Sequence, residues 1–230
     1  MSASLDAVRI DILLHGQTTF TEDGNLTLAT SSLVRAADQV VVVDPGAWNQ
    51  RRALEAALAR HELTPADVDL VVATHLHWDH FINFEIFTGA SLVVAEREWQ
   101  RVCAGDLDYA TPSDTRDILA RWPNLLLVQE GQLLPGVHIL DTAGHTAGHI
   151  AVLLKTAEGP VVLSGDALSH ESCVATGLPE LVNYSHEQAA ESVKKILASA
   201  SKVIPGHGAP FMSTPRSSVL IDPRMDAPAW

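Results

Sequence analysis

The segment "ATHLHWDHFINFEIF", Ala73 to Phe87, sets His75, His77, Asp79 and His80 directly behind the apolar run "VDLVVA". Four titratable side chains so close to a buried strand are expensive to desolvate unless a strong interaction offsets the loss. Imidazoles and carboxylates together make a ligand set for divalent metal ions, with zinc the default and manganese or iron(II) the alternatives. The same residue types recur in three further motifs: His145 in "DTAGHTAGHIAV", Asp166 in "VVLSGDALSH" and His207 in "VIPGHGAPF". Each follows a strand-like apolar run, and loops at strand ends are where distant segments converge. Five histidines and two aspartates are too many for one four- or five-coordinate ion. They suit two ions sharing one carboxylate. Such a pair with a bound hydroxide keeps a net positive centre, able to polarise a carbonyl or phosphoryl oxygen.

The elements that must position these residues follow from periodicity. Short runs rich in β-branched residues alternate with helical patterns. "VRIDILL", "LTLATSSLVRA" and "QVVVVD" predict three opening strands, with turn signals at Asp23-Gly24 and Asp38. "QRRALEAALARHEL" carries Leu54, Ala57 and Leu58 at helical spacing, and a strand over Leu70 to Ala73 leads into the histidine cluster. "SLVVAE" predicts another strand, then "REWQRVCAG" and "SDTRDILARW" predict helices. The second half repeats this order. Strands are expected in "NLLLVQ", "GVHILDT", "HIAVLLKT" and "PVVLSGD", a helix in "SHEQAAESVKKILASA", and a last strand in "KVIPGHG". Ser185 with Gln188 three residues on is a capping-box arrangement for that helix. Two β-rich halves, each closed by helices, predict an α/β fold of two sheets packed face to face with helices outside. One domain is expected over residues 1–211, followed by a proline-bearing tail at 212–230.

Composition narrows the function classes. The chain has 230 residues, 15 lysines and arginines against 28 aspartates and glutamates, and a formal net charge of −13. Non-specific nucleic-acid binding draws on neutralised phosphates, so nucleic acid is not expected as a partner. Cys103 and Cys173 form no CxxC pair, and two free thiols are expected. The N-terminal segment "MSASLDAVRIDILLHGQ" lacks the signal-peptide pattern, and no apolar run is long enough to span a bilayer. The expected location is cytoplasmic, with no membrane partner; a homodimer is compatible with the acidic surface.

THLHWDH, AGHTAGH, SGDA and PGHG, in that order from about Asp44 to His207, resemble the metallo-β-lactamase-fold hydrolase superfamily. The resemblance implies an αββα sandwich with the site at one edge. It gives one metal to His75, His77 and His145, and the other to Asp79, His80 and His207, with Asp166 bridging. Asp44 in "DPG" resembles the family's acidic turn and would orient ligands from behind. The branch follows from details. An aspartate at 166, not cysteine or serine, is unlike the antibiotic-hydrolysing lactamases and similar to the glyoxalase II, lactonase and nuclease branches. His77 stands where flavodiiron oxidases carry glutamate. "DALSHESCVATG" lacks the GRTDFQ-like segment of persulfide dioxygenases. The C-terminal glutathione-holding region of glyoxalase II is not expected here, and the sequence resembles compact metallo-β-lactamase-domain proteins.

The implied activity is hydrolysis of a small thioester, ester or lactone. Zinc lowers the pKa of bound water to about 7, and the resulting bridging hydroxide would attack the acyl carbon. Asp79 and Asp166 are the catalytic candidates: Asp79 orients the nucleophile and returns a proton to an alkoxide leaving group, and Asp166 bridges. The alternative is a phosphodiesterase or ribonuclease on the same metals, which a ring of arginines would favour and an apolar cleft would not. Other residues carry blander expectations. His149 is assigned a hydrogen-bonding role; His170 and Tyr184 are candidates for the cleft or the surface; Trp78, Phe81 and Phe84 are assigned to packing or the pocket wall.

Overall fold

The computed structural model describes residues 8–213. The first half supplies strands β1 (Arg9–Leu14), β2 (Gln17–Thr21), β3 (Gly24–Leu28), β4 (Ser31–Ala36), β5 (Gln39–Val43), β6 (Leu70–Val72), β7 (Ser91–Ala95) and β8 (Leu125–Val128). The second supplies β9 (Gly131–Leu134), β10 (Val137–Asp141), β11 (Ile150–Thr156), β12 (Gly159–Gly165), β13 (Lys202–Pro205) and β14 (Phe211–Met212). Helices are α1 (Arg51–Arg60), α2 (Trp78–Phe81), α3 (Glu96–Cys103), α4 (Thr115–Leu119), α5 (Cys173–Thr176) and α6 (His186–Ser199). One sheet runs β1-β4-β5-β6-β7-β8 and the other β14-β13-β12-β11-β10-β9; β2 and β3 form a separate hairpin.

The layering follows from two-residue alternation along strands that are buried on both faces. Val41, Val43, Leu70, Val72 and Val93 point inward, where they meet Ile139, Val152, Leu154, Leu163 and Ile204 of the other sheet. Val42, Val71, Leu92 and Val94 point the opposite way and pack with Leu54, Leu58, Val102 and Leu119 of the first sheet's helices. On the second sheet Ala151, Val162 and Val203 pack with Val193 and Ile196 of α6. This is the expected αββα sandwich. A fully buried side chain of this kind contributes about 1.5–3 kcal/mol, so the three apolar layers hold the site-bearing strand ends in register.

Parallel pairing of β5, β6 and β7, and of β12 with β13, sends several strand ends to one edge. Asp44 follows β5, His75 and His77 follow β6, Asp166 follows β12 and His207 follows β13. A backbone bond from Ile150 N–H to the Thr74 carbonyl, 2.9 Å, joins the two sheets there. Helix α6 starts as its cap predicts, the Ser185 hydroxyl accepting the Gln188 N–H at 3.3 Å.

Two departures matter. "LTLATSSLVRA" forms two strands, β3 and β4, because at Thr30 the N–H leaves the ladder and donates to the Gly206 carbonyl at 2.7 Å. That tie pulls the β2–β3 hairpin, whose first strand the sequence reading leaves out, beside the His207 loop. Strand β9 is also added, pairing antiparallel with β10 across Pro135 and Gly136. Met212 pairs with Lys202 in the last strand; most of the expected tail, 214–230, lies outside the described residues. Cys103 and Cys173 are free thiols. No helix among the described residues is long and apolar enough to cross a membrane.

Candidate metal centre

All seven candidate ligands are buried and stand together at the shared edge. Donor atoms fall into three groups within 4.8 Å of one another: His75, His77 and His145; His75, His80 and Asp166; Asp79, His80 and His207. Asp166 faces both sides. Its Oδ1 is 3.1 Å from His207 Nε2 and 3.3 Å from His80 Nε2, and its Oδ2 is 3.5 Å from His145 Nε2. Asp79 Oδ2 lies 3.5 Å from His207 Nε2 and 3.8 Å from His80 Nε2.

The outward nitrogen of each histidine is engaged, which fixes where the inward lone pair points. His145 Nδ1–H donates to the Leu181 carbonyl at 2.8 Å and His207 Nδ1–H to the Leu28 carbonyl at 2.9 Å. His80 Nδ1–H donates to Asp44 Oδ2 at 2.8 Å, and His77 Nε2–H to Asp108 Oδ2 at 2.8 Å. The Thr74 hydroxyl gives its proton to Asp44 Oδ2 at 2.8 Å, so toward His75 Nδ1, 3.1 Å away, it acts as acceptor. His75 Nε2 is then a buried nitrogen without a hydrogen-bond partner. The remaining nitrogens of His77 and His145 face each other at 3.1 Å, and those of His80 and His207 at 3.2 Å. Imidazole nitrogens converging in this way, with two carboxylates among them, fit divalent cations.

The electrostatics divide the cluster. Burial, reinforced by His80, His77 and His145, pushes His75 well below the ordinary imidazole range. Burial likewise lowers His145 to about 4, against the pull of Asp166. For His80 burial also opposes charge, but Asp166, Asp79 and Asp44 override it and hold the group well above its ordinary value. His207 is raised against burial by Asp166. Burial would raise Asp166, yet His207 and His80 hold it well below the carboxylate range. A carboxylate that favours positive charge on two imidazoles favours a metal cation at the same place.

Backbone constraints support these ligands. Asp44 sits at φ 52, a left-handed conformation uncommon for a residue with a side chain, and its Oδ1 accepts the Thr74 N–H at 2.8 Å. Its role behind His80 is the one the resemblance implies. Gly206 cannot carry a side chain, since a Cβ there would lie 2.2 Å from Asp166 Oδ1. His149 accepts the Asp166 N–H on Nε2 at 3.0 Å, so its Nδ1–H donates to Thr142 Oγ1 at 2.8 Å. It is a hydrogen-bonding support, as expected.

The hollow above Asp166 and His207 is lined by Thr18, Phe20, Thr27, Ser169, Glu180 and Leu181. Neither His170 nor Tyr184 lines it; His170 pairs with Glu180 at 3.3 Å. Phe81 and Phe84 are core residues, and Trp78 packs against the same cluster. Asp108 was invisible in the sequence: it lies 31 residues from His77 in a polar stretch without a motif. Burial would raise its pKa, but the His77 hydrogen bond and the Thr111 and Arg101 contacts hold it far below the usual carboxylate value.

A profile described as the metallo-beta-lactamase superfamily matches residues 24–207. Metallo-beta-lactamase domain-containing protein 1 of Homo sapiens is 35% identical over 191 residues, covering 80% of this chain and 63% of that protein, so the chain spans less than two thirds of it. An N-acyl homoserine lactonase of a Bacillus species is 27% identical over 140 residues, 60% of this chain and 54% of that one. Among solved structures, an N-acyl homoserine lactone hydrolase with N-hexanoyl-L-homoserine at its catalytic metal centre superposes with a TM-score of 0.69 at 18% identity. That match covers 89% of this chain and 94% of the other.

Proposed function

The chain belongs to the metallo-beta-lactamase superfamily and is a metal-dependent hydrolase of that family, and from this premise we propose that it cleaves a small ester, thioester or lactone on a pair of divalent ions, expected to be zinc. His75, His77 and His145 would hold one ion, Asp79, His80 and His207 the other, and Asp166 would lie between them. When bound, such ions supply an activated water at neutral pH and polarise the acyl oxygen.

The chain's own residues do the rest. Asp166, fixed by the His149 bond to its N–H, keeps the two halves of the centre at one separation. Asp79, at the start of α2, orients the attacking water and returns a proton to an alkoxide; a thiolate leaving group does not need that proton. Phe20 and Leu181 offer apolar surface to an acyl chain, and Ser169 and the threonines offer hydroxyls to its polar end.

One observation carries the choice of carbonyl over phosphorus. The residues that line the hollow include no lysine or arginine, and the charged side chain among them outside the ligand set is Glu180. Glu180 would repel the charge of a phosphodiester with no lysine or arginine beside it to compensate, whereas a neutral acyl compound carries no charge to be repelled. The named activities of the lactonase relative and of the lactone hydrolase structure support the same class.

The test is a panel of acyl thioesters, esters and lactones given to zinc-reconstituted protein, with Asp166→Ala as the blank. Turnover of any member that disappears in the variant supports the proposal. Silence across the panel from protein shown to carry two ions would overturn it and redirect the search to phosphodiesters, RNA first.

A further inference from the structure

Glu98 is fully buried on α3, and none of the steps above uses it. Its Oε1 accepts from the Leu76 N–H at 3.2 Å and from Arg101 Nη2 at 2.7 Å. Its Oε2 accepts from the Thr146 hydroxyl at 2.9 Å, the Gly148 N–H at 3.0 Å and Arg101 Nε at 3.3 Å. Three of these five donors belong to ligand-bearing loops: Leu76 stands between His75 and His77, and Thr146 follows His145. The contact is close enough to dictate a residue type, since a Cβ on Gly148 would lie 2.0 Å from the Glu98 nitrogen.

Arg101 carries the connection onward. Nη2 donates to Thr111 Oγ1 at 3.0 Å, and Nη1 lies 3.8 Å from Asp108 Oδ2, the oxygen bonded to His77 Nε2. Thr111 also donates its hydroxyl to Asp108 Oδ1 at 2.9 Å. A closed circuit of bonds, buried at Glu98 and part-buried at Asp108, therefore runs from the His75–His77 loop through Glu98, Arg101, Thr111 and Asp108 back to His77, with the His145 loop as a branch. The contacts given above for His80 and His207 go to Asp44, Asp166 and the Leu28 carbonyl, and those of Asp79 to His80 and His207, outside this circuit.

We infer that Glu98 is a positioning residue for one half of the centre: it sets the spacing between the His75–His77 loop and the His145 loop, and so governs the ion held by those three histidines without governing its neighbour. A carboxylate suits this task because one planar group accepts from both loops at once while Arg101 neutralises it. The inference rests on the two-ion reading above.

The experiment loads metal-free wild type, Glu98→Gln and Thr146→Val with zinc, counts ions by native mass spectrometry, and measures each affinity by chelator competition. A glutamine keeps one acceptor oxygen and presents an NH2 to donors, so one loop must let go. The expected result is one ion held as in the wild type and the other about 10–100-fold weaker, the range for outer-shell partners of metal ligands. Thr146→Val, which removes a single bond beside His145, should weaken the same ion less, and it keeps the test open if Glu98→Gln fails to fold. Unchanged affinities in the folded variants, or equal weakening of both ions, would overturn the inference by leaving Glu98 with general structural work. A wild type that binds no zinc would sink the two-ion reading itself, and the inference with it.

Discussion

The two halves of the centre are supported by opposite means. The Asp79–His80–His207 half is anchored to the ends of sheet strands: Asp44 directly after β5 orients His80, and the Leu28 carbonyl orients His207. The three-histidine half, besides the Thr74 hydroxyl behind His75 and the Leu181 carbonyl behind His145, draws on side chains from α3 and the loop behind it, namely Glu98, Arg101 and Asp108. Strand ends are fixed by long-range packing of both sheets, whereas a side-chain circuit depends on every member being present and satisfied. One half should therefore resist substitution at a distance and the other should respond to it.

Removing both ions erases the comparison and should have the largest effect. Chelation should abolish turnover, restored by zinc, and the metal-free protein should melt lower. Each ion present at about 100 times its Kd contributes about 2.7 kcal/mol to folded-state stability. Asp44→Ala comes next. It strands the Thr74 N–H and the His80 Nδ1–H in the interior, a destabilisation of about 2–4 kcal/mol, readable by denaturant unfolding. The ion at Asp79, His80 and His207 should weaken more than its partner, and loss of the other ion first would break the comparison.

Gly148→Ala tests the opposite half. The added methyl would drive α3 and the His145 loop apart, an overpacking change of about 1–3 kcal/mol. Competition titration should find the three-histidine ion weakened. Thr142→Val should have the smallest effect, about 1 kcal/mol for one hydrogen bond. It leaves His149 in place but releases its Nδ1–H, so turnover should fall modestly with both ions retained. A large loss of metal in that variant would mean that the support of Asp166 had been drawn wrongly.

The unequal supports also explain what could be read from sequence. All seven candidate ligands lie in short motifs after β-branched runs, and those runs became strands because alternation and burial agree at Val41 to Val43 and Leu70 to Val72. Asp44 was legible through the resemblance of "DPG" to the family's acidic turn. Glu98 and Arg101 were not: a charged pair at i and i+3 on a helix ordinarily reads as a solvated face, and here it is interior. Asp108 sits in a polar loop with no periodicity to mark it. The break at Thr30 was hidden because its cause, a bond to Gly206, is 176 residues away and joins elements that no local pattern connects. Local pattern reaches the ligands and their strands, whereas tertiary contact decides what stands behind them.

The central claim, that these seven residues form two ion sites, is tested most directly by counting zinc bound per chain in the natively folded protein. Two ions are expected in the wild type, and a reduced count in each of the separate variants His145→Ala and His207→Ala. A single ion in the wild type, or a count of two that survives both substitutions, would contradict it.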